Sequence, residues 1–166
     1  MKCTEFNIAA NDSANLFVRN CVSQPTDRCG RTLVIVHGTS EHGGCYLHAA
    51  EEAVAMGWDV IIPDLRGHGR SDGLAVHIRR FEQYLLDLDT IWQYFELNPK
   101  RTAVLGHSFG GLVSVRFAQT RPSRLAALVP MSPLLGLRVK IDPLTYAIGR
   151  LMSFVAPTTR FQSKVP

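Results

Sequence analysis

Beyond position 108 this 166-residue chain contains no histidine and only one acidic residue, Asp142; its six histidines all lie at or before His107. Acid–base chemistry centred near position 108 would therefore have to do without an imidazole from the last third of these residues. No uncharged apolar run approaches the roughly 20 residues that span a bilayer, so no transmembrane segment is expected. The opening Met1-Lys2-Cys3-Thr4-Glu5-Phe6-Asn7 lacks the apolar core of a secretory leader. Basic residues number 18 against 14 acidic, a formal charge of +4 with no basic run, which gives nucleic-acid binding no support. The four cysteines, Cys3, Cys21, Cys29 and Cys45, form no Cys-x-x-Cys pair and are too sparse for a disulfide scaffold. They read as reduced thiols, and the protein as cytoplasmic. His37 and His42 have no acidic or second histidine partner at ligand spacing, so no metal site is expected.

What is present is apolar and glycine-punctuated. A hydrophobic content of 46% over this length supplies one globular core, or part of one. The organising stretch is Val104-Leu105-Gly106-His107-Ser108-Phe109-Gly110-Gly111. An apolar run from Thr102 to Leu105 feeds Gly-x-Ser-x-Gly and then a helix-forming segment, which is the strand, sharp turn and helix of a nucleophile elbow. Ser108 is the candidate nucleophile, held at φ > 0 and flanked by glycines because the turn leaves no room for side chains. The helix that follows points its free amides, beginning with Phe109, at charge developing beside Ser108.

Upstream, Glu5 to Ala10 and Ala14 to Val22 read as an antiparallel hairpin about the turn Asn11-Asp12-Ser13. Thr32 to Val36 is a β-branched run of the kind buried on both faces of a parallel sheet. It ends in a second motif, His37-Gly38-Thr39-Ser40-Glu41-His42, a loop whose Thr39 amide is placed to be the other oxyanion donor, with His37 and His42 holding the loop by hydrogen bonds. Tyr46 to Met56 has helical spacing and a stop at Gly57, and Trp58 to Pro63 is the next buried strand. The third motif, Asp64-Leu65-Arg66-Gly67-His68-Gly69-Arg70-Ser71, reads as a tight loop beside the site in which Asp64 and Arg66 form a buried charge pair. Phe81 to Leu97 carries one apolar helix face, and Leu125 to Val129 is a further strand after the elbow helix. Alternating strands and helices predict a doubly wound, mostly parallel α/β sheet. Residues 1–135 are the expected core. Within 136–166, an apolar helix over Ile141 to Val155 reads as the start of a cap or lid.

His-Gly-x-x-Glu-His at 37–42, Asp-x-Arg-Gly-His-Gly-x-Ser at 64–71 and Gly-His-Ser-x-Gly-Gly at 106–111 together resemble the monoglyceride lipase and lysophospholipase-like branch of the α/β-hydrolase superfamily. The resemblance implies cofactor-free ester hydrolysis of monoacylglycerols or lysophospholipids, with Ser108 as nucleophile and the Thr39 and Phe109 amides as oxyanion hole. It places His37, Gly38, Asp64, Arg66 and His107 in supporting loops. Cys45-Tyr46 stands where relatives often have Arg-Tyr. That family takes its acid and histidine after the serine, where this sequence offers only Asp142 and no histidine.

The expectation is thus a serine ester hydrolase that is incomplete and weak or inactive alone. Two other readings stand beside it. One is a non-catalytic remnant of the fold that binds acyl chains or a partner. The other is an enzyme completed by a second chain, which would add to the open sheet edge, where self-association is the competing outcome.

Overall fold

The computed structural model describes residues 1–136 and 142–156. Met1–Leu135 forms one compact unit and Gly136–Pro166 a second. The first unit holds six strands, β1 (Lys2–Ala9), β2 (Asn15–Val22), β3 (Thr32–Val36), β4 (Asp59–Pro63), β5 (Thr102–His107) and β6 (Ala127–Met131). Its helices are α1 (Leu47–Ala55), entered through a 3-10 turn over Gly43–Tyr46, then α2 (Glu82–Tyr94) and α3 (Ser108–Thr120). The strands form one sheet in the order β1-β2-β4-β3-β5-β6. From β4 to β6 all pairings are parallel, and β2 joins β4 antiparallel. The sheet is therefore the mostly parallel α/β sheet that the alternating pattern predicts.

Strand periodicity distributes the core. In β3, Val34 and Val36 face one way, onto Leu88 and Trp92 of α2 and Val113 and Phe117 of α3. Ile35 faces the other way, with Val60 and Ile62 of β4, onto Ala50 and Ala53 of α1. A central strand buried on both faces has little use for polar residues, which is why Leu33 to Val36 reads as an unbroken apolar run.

The breaks between elements have local causes. Gly57, which follows α1, sits at φ 84°. A Cβ there would run into the backbone carbonyl of Asp27. The helix expected over Phe81 to Leu97 ends instead at Tyr94, because Glu96 turns to φ 49°. The last strand lies two residues later than Leu125 to Val129, since its register is set by β5, with Ala103 opposite Ala127 and His107 opposite Met131. Pro130, which has no N–H, fits because β6 has its other side unpaired among the described residues. In the second unit, α4 (Pro143–Val155) begins where the Asp142 carboxylate accepts the Thr145 N–H at 2.9 Å. It contains the apolar positions Leu144, Ile148, Leu151, Met152 and Val155; Ile141 and the remainder of the expected cap lie outside the described residues.

The cysteines correct the sequence reading. Cys3 and Cys21 are direct partners in the β1–β2 register and are joined in a disulfide; only Cys29 and Cys45 are free. The pairing is created by hairpin register across a separation of 18 residues, so no local spacing motif announced it. Reduced thiols consequently no longer support a cytoplasmic location. Alkylation of the denatured, unreduced chain should modify Cys29 and Cys45 alone, as read by peptide mass spectrometry. Reduction should lower stability by about 3 kcal/mol in a denaturant titration, on loop-closure arguments. Modification of all four thiols without reductant would contradict the bridge.

Candidate active site

β5 runs directly into α3, and the junction residue is Ser108 at φ 49°. A left-handed serine is costly by about 1 kcal/mol or more and persists only where its surroundings enforce it. Here the enforcement is close packing of backbone on backbone. A Cβ on Gly110 would overlap the carbonyl oxygens of Val36 and His37. One on Gly106 would stand 2.6 Å from the Gly110 carbonyl oxygen and collide with Ser114 Oγ. Ser114 Oγ donates to that same carbonyl at 2.7 Å, and the Leu134 N–H donates to the Ser108 carbonyl at 2.9 Å. Because α3 starts at Ser108, the amides of its first turn lack intrahelical partners, the Phe109 N–H among them. The Phe109 ring is anchored edge-on to Tyr84, centroids 5.3 Å apart, and to Phe81.

The loop after β3 lies against this elbow. His37 is fully buried, with Nδ1 2.8 Å from the Gly38 carbonyl and Nε2 accepting the Leu65 N–H at 2.8 Å. Burial pushes its pKa down, and the neighbouring His68 ring adds to that effect. Both ring nitrogens being engaged, His37 is a neutral strut rather than a base. Gly38 is closely surrounded: a Cβ would stand 3.1 Å from Glu41 Oε2 and 3.3 Å from His107 Nδ1, so both side chains would have to give way. The Gly38 N–H donates to Glu41 Oε2 at 2.9 Å, and the Tyr46 hydroxyl donates to the same oxygen at 2.7 Å. His107 Nδ1 lies 2.8 Å from the Tyr46 hydroxyl. Glu41 and Tyr46 were not singled out from the sequence. Their signal was the Glu of the His-Gly-x-x-Glu-His stretch and the aromatic five residues on, but only the folded loop brings both to His107. His42 Nδ1 accepts the Gly44 N–H at 3.1 Å and so caps the 3-10 turn.

The expected Asp64–Arg66 pair is not formed. Asp64 turns to β2 and the 3-10 turn, accepting from Arg19 at 3.1 Å, from the Gly43 N–H at 2.7 Å and from the Arg70 N–H at 2.9 Å. Arg66 turns the opposite way, with two bonds to Asp87 of α2, at 2.6 and 2.9 Å, and two to Asp12 of the β1–β2 turn. Their charged side-chain partners, Asp87, Arg19 and Asp12, lie 21 to 54 residues away in sequence, so two charges at i and i+2 were a misleading proxy for a pair. Ser71 ties the same loop to β2, donating to the Asp64 carbonyl and accepting the Phe17 N–H. His68 is buried; Nδ1 meets the Arg66 carbonyl at 3.1 Å, and Nε2 has no partner among the described residues. Among the described residues no hydrogen bond reaches the Ser108 hydroxyl, and no helix is long and apolar enough to cross a membrane.

Residues 28–166 match the family described as serine aminopeptidase, S33. The phospholipase YtpA of Bacillus subtilis is 31% identical over 138 residues, covering 82% of this chain and 53% of that protein. A monoacylglycerol lipase of Mycolicibacterium smegmatis is 33% identical over 128 residues, covering 75% of this chain and 45% of that protein. Among solved structures, a monoacylglycerol lipase of Paleococcus ferrophilus superposes with a TM-score of 0.72 at 28% identity, covering 86% of this chain and 52% of that one. The chain spans about half the length of the curated relatives it matches. A left-handed serine between strand and helix, three ordered motifs and these matches agree: the chain belongs to the serine aminopeptidase S33 family of α/β hydrolases, in the branch that includes lipases and lysophospholipases.

Proposed function

We propose that these residues carry the nucleophile and oxyanion-binding half of a serine ester hydrolase acting on monoacylglycerols or lysophospholipids. Ser108 is the nucleophile, and the amides of Thr39 and Phe109 receive the oxyanion. His37, Gly38, Asp64, Arg66 and His107 hold the surrounding loops, and residues 136–166 begin a cap. The observation that carries the reading is Ser108 itself, a non-glycine residue at φ 49° on a strand-to-helix junction. Relatives named for phospholipid and monoacylglycerol hydrolysis support the substrate class.

In such a reaction the Ser108 oxygen bonds to the ester carbonyl carbon while a base takes its proton. The tetrahedral oxyanion is held by the two amides, the carbon–oxygen bond to the alcohol breaks, and the proton passes to the departing oxygen. Water then repeats the sequence on the acyl-serine. The step short of a participant is proton transfer, since no histidine follows Ser108 in these residues. By themselves they are weak or inactive. A second chain bearing acid and histidine could complete the site by adding to the side of β6 that is unpaired among the described residues, where Val129 and Met131 are exposed. The same lack of a base favours, as the second reading, a non-catalytic binder of acyl chains.

A fluorophosphonate probe separates these readings. The isolated chain should label slowly, at Ser108 by peptide mass spectrometry, faster with added imidazole as an external base, and not at all as Ser108→Ala. A chain that stays unlabelled in imidazole yet binds a fluorescent fatty acid would displace the hydrolase reading with the second one.

A further inference from the structure

We infer that Glu41 is a positioning residue that couples the two oxyanion donors, by closing a hydrogen-bonded relay between the residue before Ser108 and the residue before Thr39. The inference rests on the nucleophile reading above and adds to it the device that sets the spacing of the hole. The relay has four members. The Gly38 N–H and the Tyr46 hydroxyl both donate to Glu41 Oε2, at 2.9 and 2.7 Å, and His107 Nδ1 meets the Tyr46 hydroxyl at 2.8 Å.

The direction of each bond follows from donor counting. An ionised carboxylate only accepts, so the single Tyr46 proton goes to Glu41. The Tyr46 oxygen must then accept from His107, which fixes the imidazole as the Nδ1–H form. Burial raises the Tyr46 pKa, and the bond to Glu41 raises it further, so the phenol remains a donor throughout the working range. Burial alone would push the Glu41 carboxyl up. The bonds from Tyr46 and Gly38 and the nearby His107 outweigh it and hold the group below its ordinary value. A carboxyl depressed on folding contributes above its unfolded pKa and loses that contribution as pH falls through the folded one. The relay accordingly contributes in full above the ordinary glutamate pKa and weakens as pH falls through the lowered one.

The two ends of the relay are adjacent to the two donors. Gly38 precedes Thr39 on a loop that Ser40, at φ 61°, folds back so that Glu41 reaches it. His107 precedes Ser108 and, two residues on, Phe109. The loop and the elbow belong to different elements; the β3–β5 pairing ends at Val36 opposite Gly106, and beyond His37, which is packed on Gly110 and bonded to the Leu65 N–H, the relay is the link from the loop to His107. Misplacing a catalytic group by about 1 Å costs on the order of 10²-fold. The relay pins that loop to the elbow through side chains.

Three variants test it, each followed by Gly38 amide exchange, His107 ring-nitrogen NMR and the phosphonate labelling rate in imidazole. Glu41→Ala should unprotect the Gly38 amide and slow labelling roughly a hundredfold. Glu41→Gln, whose amide oxygen accepts the same two bonds, should restore most of the rate. Tyr46→Phe should leave the Gly38 amide protected but release His107 from the Nδ1–H form, a signature that general destabilisation would not produce. Labelling of Glu41→Ala at the rate of the unsubstituted chain, or a His107 ring indifferent to Tyr46→Phe, overturns the positioning role while leaving Ser108 as nucleophile. An unsubstituted chain that never labels overturns both.

Discussion

Assayed alone on a monoacylglycerol, these 166 residues are expected to hydrolyse it on the order of 10⁶-fold more slowly than a relative presenting nucleophile, acid and histidine together. The serine and histidine of such a triad act as one unit, so losing the histidine forfeits nearly everything the serine contributes. What survives is the roughly 10³ to 10⁴-fold acceleration that oxyanion donors and binding give without a triad. Ser108→Ala should change the residual turnover by less than about threefold, because a nucleophile without its base is already silent, and knockouts within such a unit are not additive. The same substitution abolishes phosphonate labelling, which reads bond formation at Ser108 directly. Steady-state rates of the two chains on one substrate suffice. Turnover within about a hundredfold of a complete relative, abolished by Ser108→Ala, would mean that an imidazole of this chain serves as base. His37 is disqualified by its two engaged nitrogens, so His68, whose Nε2 is unpartnered among the described residues, would be the first to replace.

Arg66→Ala should cost about 3 to 5 kcal/mol of unfolding free energy, and Asp87→Ala less, because Arg66 keeps its bonds to Asp12. The Arg66 side chain is 10% exposed and that of Asp87 6%, with their closest atoms 2.6 Å apart. Removing Arg66 strands Asp87 as a desolvated charge, whereas Arg66 without Asp87 keeps its two bonds to Asp12. For Asp87, burial pushes the carboxyl up more than the attraction of Arg66 pulls it down. Buried pairs of this kind are seldom a large net source of stability; they are tolerated when they are complete. The double replacement Arg66→Met with Asp87→Leu should therefore recover most of the loss, since apolar groups of similar volume remove both desolvation costs. Asp12, half-exposed, can return to water. Chemical denaturation of the three variants decides it, and a double variant no better than the singles would show the pair to be stabilising in its own right. The expected damage reaches the site, because the loop from Asp64 to Ser71 packs against the loop after β3 through His37 and Leu65.

Most of the framework was legible because its signals are local. The apolar run of β3, the glycines about Ser108 and the stop at Gly57 are each signalled by local residue type, although the atoms that Gly57 and Gly110 make room for, the Asp27, Val36 and His37 carbonyls, lie far along the chain. Element ends slipped where a long-range register or a single residue at positive φ decided them, as at β6 and after Tyr94. Polar pairing was read worst. Asp64 and Arg66 were matched with each other by proximity in sequence, whereas each is held by residues far along the chain. The cysteines failed in the same way, their bridge being a property of hairpin register.

The order of residues alone determined the parallel α/β framework, the left-handed serine at its turn and the absence of any histidine after it among these residues, because side-chain period and glycine placement are legible over one turn or one strand. The tertiary structure decided which charges, thiols and hydroxyls meet: Cys3 with Cys21, Asp64 with Arg19, Arg66 with Asp87, and Glu41 with Tyr46 beside His107. A hydrogen bond or ion pair is made or lost within about an ångström. Positions fixed to that tolerance arise only when the sheet closes and its loops are packed on one another.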